Sequence, residues 1–369
     1  MKVLHINCNY MGTALHQTMI THLDTLGVEN TVFAPVHTLE NAAVAPNDNV
    51  VACKCFHKLD RVLFYRKQRK IEKALQANID VSEYNLLHAY TLFTDGNCTY
   101  ELSKQYNIPY VVAVRNTDVN AFFRWMPYLR KRGVEILKNA SAVFFLSSAY
   151  KEQVLGKYVP QSLREGIEAK SRIIPNGIDD FWLQNLQLTQ NKQCHNPIRL
   201  VFAGRINANK NIPTIQKAMK LLQEQGHDAQ LTVVGKVENK AVFRELVKDK
   251  ATTYIPPKNK TELIDIYRTN DIFVMPSFTE SFGLVYAEAI SQGLPVICSA
   301  GQGFDGQFPE GEVGYRVDAH SSQSVAEGII KIVKDYSRIT NNLSDKAKRY
   351  NWDAICSQYA QIYQAFIKQ

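Results

Sequence analysis

At 369 residues the chain exceeds the length at which a single hydrophobic core stops growing, so two domains are expected. Apolar residues make up 45% and charged residues 21%, which excludes disordered and collagen-like classes, and no apolar run reaches the length of a membrane span. The formal net charge of +8 favours anionic partners: phosphates, acidic lipid surfaces or nucleic acid.

A first strand is expected over 3–6, then a turn over 10–13 in which Gly12 lets the backbone approach a ligand, then a helix over 14–26. Strands over 30–34 and 49–53 flank a loop rich in Asn, Ala, Pro and Asp. From Lys54 to Lys73 eight Lys and Arg face only Asp60 and Glu72, with Leu59, Val62, Leu63, Phe64 and Tyr65 at the front. Such a segment either docks on an anionic membrane, each basic residue contributing about 1 kcal/mol near the lipid, or forms a solvated helix face. Strands over 86–89, 110–114, 141–147 and 172–174, with a helix over 96–106, call for a parallel doubly wound sheet. The Asn-, Gln- and Lys-rich stretch up to Pro197 reads as a linker and puts the domain boundary near residue 180. A second alternating set follows, with strands over 199–203, 230–234 and 253–255 and helices over 212–225, 240–249 and 260–268.

This second set leads to Asp271–Ala300, which reads as strand, helix with a Gly293 stop, and strand. Ligands of open parallel sheets sit beyond the carboxyl ends of the strands, where the next helix offers unpaired N–H groups and the positive end of its dipole. Ser281, Phe282, Gly283 and Leu284 hold that position, with Glu280 before them and Glu288 inside the helix. Eight helical steps are a little over two turns, so both acids can face one pocket. Carboxylates on both sides of a phosphate-binding helix start suit a nucleotide sugar. Upstream, Gly204-Arg205 and Lys210 place two cations at a strand end, suited to a diphosphate, and Gly235 ends the next strand. The glycines at 301, 303 and 306 match a dinucleotide fingerprint in spacing only; no helical pattern follows, so they read as loop glycines. Seven scattered cysteines read as reduced thiols, and the apolar run at the N-terminus is too short for a signal peptide, which points to the cytoplasm. A last helix runs to Ile367.

The pattern of Glu280, seven residues and Glu288 with Phe282-Gly283 between them resembles the retaining glycosyltransferases of family 4. So do Gly204-Arg205 with Lys210, and Pro175-Asn176-Gly177-Ile178-Asp179. The resemblance implies an α/β fold of GT-B type, with two Rossmann-like doubly wound parallel-sheet domains facing a cleft. Residues 1–180 would bind the acceptor and 181–352 the nucleotide-sugar donor, while a C-terminal helix, 353–369, crosses back to the first domain. It implies that Glu280 contacts the donor sugar, Glu288 the ribose, and the backbone of 281–284 the diphosphate. Glu280, Arg205 and Lys210 are then the catalytic candidates, and Gly12, Gly204 and Gly235 lie close to the donor. Family members often carry a His where this chain reads Val114-Arg115-Asn116-Thr117-Asp118, so Arg115, Asn116 and Asp118 are the candidates for gripping sugar or acceptor hydroxyls. The expected function is transfer of a sugar, with retention, from a nucleoside diphosphate sugar to a carbohydrate or lipid-linked carbohydrate acceptor in polysaccharide or glycolipid assembly. The chain lacks any Asp-x-Asp, so no metal or other cofactor is expected, and no nucleic-acid partner. Residues 54–73 would hold the enzyme on the inner face of a membrane. Two alternatives stay open: a nucleotide-sugar epimerase of the same architecture, and a catalytically silent nucleotide-sugar-binding protein.

Overall fold

Short unbroken runs of Val, Ile, Leu, Phe and Ala become strands because both faces of a parallel sheet are covered and no alternation is required. The computed structural model describes residues 1–38, 48–187 and 192–367. Parts of the expected loop after residue 34 and of the linker before Pro197 lie outside them. The chain divides into two compact units: Met1–Leu146 with Tyr150–Gly177 and Trp352–Gln369, and Ser147–Ala149 with Ile178–Asn351.

In the first unit the strands are β1 (Lys2–Ile6), β2 (Glu29–Val36), β3 (Val50–Lys54), β4 (Leu86–Ala89), β5 (Tyr110–Val114), β6 (Ala142–Phe145) and β7 (Ser171–Ile173). They pair in parallel in the order β3-β2-β1-β4-β5-β6-β7. Successive strand residues point to opposite faces. Leu4, Ile6, Leu87, Val112, Val114 and Phe145 pack under the helices Phe64–Asn78, Thr94–Tyr106 and Pro127–Asn139. Val3, Val32, Leu86, Val111 and Phe144 pack under Ala14–Thr25 and the terminal helix Trp352–Ile367.

Two contacts seat that terminal helix. The Trp352 ring fills the space where a Cβ on Gly177 would lie 2.4 Å away, which gives the glycine of Pro175-Asn176-Gly177 its physical reason. The Tyr363 hydroxyl sits 2.6 Å from Nδ1 of His88, whose burial holds the ring neutral.

The second unit has β8 (Ile198–Ala203), β9 (Ala229–Val234), β10 (Thr252–Ile255), β11 (Ile272–Met275), β12 (Val296–Ser299) and β13 (Gly314–Val317), parallel in the order β10-β9-β8-β11-β12-β13. The strand order reverses between β8 and β11, the topological switch where such sheets hold ligands. Among the described residues no helix is long and apolar enough to cross a membrane.

Candidate functional site

At the switch point of the second unit, the loop after β8 and the loop after β11 are tied together by Asn209. Its Nδ2 donates to the Thr279 carbonyl at 2.9 Å, and its Oδ1 accepts from Thr279 N at 3.0 Å and Thr279 Oγ1 at 2.8 Å. Asn211, in the left-handed region at φ +55°, donates to the Pro276 carbonyl. This clamp carries Lys210 to Glu280, where Nζ meets Oε2 at 2.6 Å with both side chains near 14% exposed.

The helix Leu284–Ser291 begins behind Gly283, which adopts φ +76°. A Cβ there would fall 2.5 Å from the Tyr286 ring, and the Tyr286 hydroxyl is fixed on the Met275 carbonyl. No side chain caps this helix. Among the described residues the amides of Phe282, Gly283 and Leu284 have no acceptor, whereas Ser281 N donates to Glu280 Oε1. Three free amides at the positive end of a helix form an anion cradle.

The glycine-rich loop 301–306 turns out to brace this cradle. Gln302 Oε1 accepts from Glu280 N at 3.0 Å, and Gly303 N donates to the Glu280 carbonyl at 3.1 Å. A Cβ on Gly303 would lie 1.8 Å from the Ser281 carbonyl oxygen, so only glycine allows the approach. Sequence reasoning discarded these residues because no helix follows them; their role depends on a contact across the fold.

Two expectations need correction. Glu280 lies four residues ahead of the helix, so helical periodicity does not relate it to Glu288. Its neighbour is Lys210, whereas Glu288 is influenced by Lys260 and Asp179, themselves an ion pair; burial pushes the Glu288 carboxyl up to about 7. Gly235 has a φ of +147°, and a Cβ there would strike the Gly204 carbonyl at 1.8 Å, so glycine is required where the ends of β8 and β9 approach. Gly204, at φ +154°, would bring a Cβ into ordinary contact with the Phe202 ring at 3.5 Å. Asp118 is fully buried and accepts from the amides of Leu92, Phe93 and Arg115, so it fixes the loop after β5 and cannot reach a substrate hydroxyl.

The other catalytic candidate, Arg205, is 70% exposed and pairs with Glu238 at 3.3 Å. In the first unit, Arg115 donates from Nε to the Tyr90 carbonyl and from Nη1 to Asn176 Oδ1. Asn116 Oδ1 accepts from Asn120. Gly12 ends a short turn after β1, and a Cβ there would meet nothing within 4 Å. His16, one turn further, escaped the sequence reading: it packs edge-on against Tyr90, and burial, then the charge of Arg115, lower its pKa to about 3. The chain thus places a neutral imidazole beside Arg115 from a helix distant in sequence, not from the strand end where a His was sought.

These two parallel-sheet units, with an anion cradle at the second switch point, define the GT-B architecture. Sucrose-phosphate synthase from Thermosynechococcus elongatus superposes with a TM-score of 0.75 at 20% identity, over 99% of this chain and 98% of that one. HepE from Anabaena, in complex with UDP and glucose, superposes with a TM-score of 0.67 at 17% identity, over 99% and 100%. Residues 17–180 match the family described as Glycosyltransferase Family 4, and residues 186–350 match Glycosyl transferases group 1. The chain belongs to glycosyltransferase family 4. A D-inositol 3-phosphate glycosyltransferase from Corynebacterium glutamicum is 30% identical over 177 residues, 44% of this chain and 42% of that protein, so the match spans about two fifths of that relative. An uncharacterized glycosyltransferase from Methanocaldococcus jannaschii is 25% identical over 314 residues, 77% and 76% of the two chains.

Proposed function

We propose that the protein transfers a sugar from a nucleoside diphosphate sugar to an acceptor hydroxyl with retention of configuration and without a metal ion. The reading is carried by the free amides of Phe282, Gly283 and Leu284 beside the Lys210–Glu280 pair. The amides would hold the diphosphate, and Lys210 would offset the charge that grows on it as the sugar leaves. Glu280 would then accept hydrogen bonds from donor-sugar hydroxyls and Glu288 from the ribose. Relatives of the same fold solved with UDP favour a uridine nucleotide. The acceptor is a carbohydrate or lipid-linked carbohydrate of polysaccharide or glycolipid assembly, met by a cytoplasmic enzyme that rests on an anionic membrane. That last element is supported by Leu59, Val62, Leu63 and Tyr65, all at least half exposed, ahead of the basic helix Phe64–Asn78. Turnover of donor with and without acceptor is the test: transfer supports the reading, isomerisation of the donor or binding alone refutes it. Activity should persist in EDTA; loss in EDTA with recovery in magnesium or manganese would refute metal independence.

A further inference from the structure

Outside the nucleotide cradle, the first unit holds a cavity of about 440 Å³ on the outer side of its helical layer. It is built from Tyr65, Gln68 and Glu72 of Phe64–Asn78, Asn97 of Thr94–Tyr106, and Tyr128 and Arg132 of Pro127–Asn139. Spacings of three and four residues put each helix's contribution on one face, so the lining is a property of three aligned helices rather than of a loop. Its volume suits a small-molecule site.

The polar groups define what fits. Arg132 is neutralised by Glu101 and by Glu135 and donates from Nε to Asn97 Oδ1 at 2.7 Å, while Arg69, whose charge acts on Glu72, and Lys131 also line the cavity. Gln68 is 1% exposed, and its Nε2 has no acceptor among the described residues. Glu72 has no salt bridge among the described residues and receives only a long 3.4 Å contact from Asn97 Nδ2. Partial burial raises its pKa to about 7. An unused donor beside an unused acceptor matches a group that can both donate and accept, as hydroxyls on neighbouring carbons can. Tyr65 and Tyr128 line the same cavity at 50% and 61% exposure, and their ring faces suit the apolar side of a sugar or cyclitol ring. We infer that this groove is a second ligand site, distinct from the donor cradle, that takes a polyhydroxylated ring through Gln68 and Glu72 between two tyrosines.

The ring can arrive free or on a lipid. Leu59, Val62 and Leu63 come shortly before Tyr65 in the chain and Trp125 shortly before Tyr128, all of them more than half exposed, which suits a ring carried on a lipid. The inference does not rest on the donor chemistry, because nucleotide binding in the second unit is measured separately.

Calorimetric titration with methyl glucoside and myo-inositol, and co-sedimentation with phosphatidylcholine vesicles carrying glucosyldiacylglycerol, test it on the full chain. Saturable binding is expected in at least one arm: free ring alone indicates a soluble ligand, vesicles alone a lipid-borne one. Gln68→Leu removes the unmatched Nε2 donor together with the 3.3 Å bond that Oε1 accepts from Asn97, Glu72→Gln keeps the shape, and the thermal melt of each variant checks that it folds. Each should weaken ring binding by roughly tenfold or more, the cost of leaving a partner group unmatched, while UDP binding is unchanged. Absence of binding in every arm, or binding that survives both substitutions, would overturn the inference.

Discussion

Glu288 shows how one side chain can link binding to pH. Burial raises its carboxyl from 4.5 to about 7, so over that range the folded chain binds the proton and the unfolded chain does not. Its contribution to stability is therefore full below about pH 4.5, declines as pH rises to about 7, and is flat beyond. The ionised carboxylate is the stronger acceptor for a ribose hydroxyl, so nucleotide affinity should move the other way and rise through pH 7. Glu288→Gln should flatten both profiles; titrations that still bend at pH 7 in the variant would refute the assignment. Lys210 carries a different expectation, because its pair with Glu280 is mostly buried. Removing one partner of a buried pair costs about 3–5 kcal/mol, and the residual exposure here places Lys210→Met toward the lower end. The double variant Lys210→Met with Glu280→Gln should recover part of that loss in a denaturant titration, whereas additive losses would mean the two side chains are not coupled. Arg205 faces solvent beside Glu238, and Arg205→Ala should reduce turnover less than Lys210→Met does.

Elements came through the sequence better than the contacts between them. The runs at Leu86–Ala89, Tyr110–Val114 and Lys260–Arg268 were readable to the residue, because buried parallel strands and capped amphipathic helices carry local signals. The helix Pro127–Asn139 was missed, since its front carries Arg130, Lys131 and Arg132 and a mid-helix Gly133 that packs against Phe93. Glu280 and Lys210 were legible as a family motif, but Asn209 and Gln302 were not. Their hydrogen bonds join residues 70 and 22 positions apart and leave no periodic trace. Those bonds yield the next expectation. Gly303→Ala forces a Cβ into the Ser281 carbonyl, and Asn209→Ala removes the clamp on Thr279. Both should weaken UDP binding without shifting the far-ultraviolet circular dichroism spectrum, because they displace a loop and no strand. Unchanged UDP affinity in both would remove the brace from the account of the site.

At the scale of the whole chain, the first unit is completed by its last residues. Trp352, Ile355, Cys356, Tyr359 and Tyr363 are buried in the core that also holds Val3, Leu86 and Val111, although more than 200 residues separate them in sequence. Burying one large apolar side chain is worth about 1.5–3 kcal/mol, so these five together are comparable with the whole stability of a typical domain. The second unit, by contrast, draws its strands and its cradle from Ile178–Asn351. Truncation after Asn351 should therefore act on one unit only. The Val3, Leu86 and Val111 face would be uncovered, and His88, now facing water, would regain a titration near the ordinary histidine range. Amide exchange should become fast across β1, β4 and β5 and remain slow across β8, β9 and β11, with UDP still bound. A milder variant separates packing from the buried hydrogen bond: Tyr363→Phe keeps the ring and removes only the hydroxyl next to His88. It should lower first-unit stability by about 1–3 kcal/mol, the cost of a buried group left without its partner. If the truncated chain kept slow exchange in β1 and β4, the terminal helix would be an accessory to that core instead of a part of it.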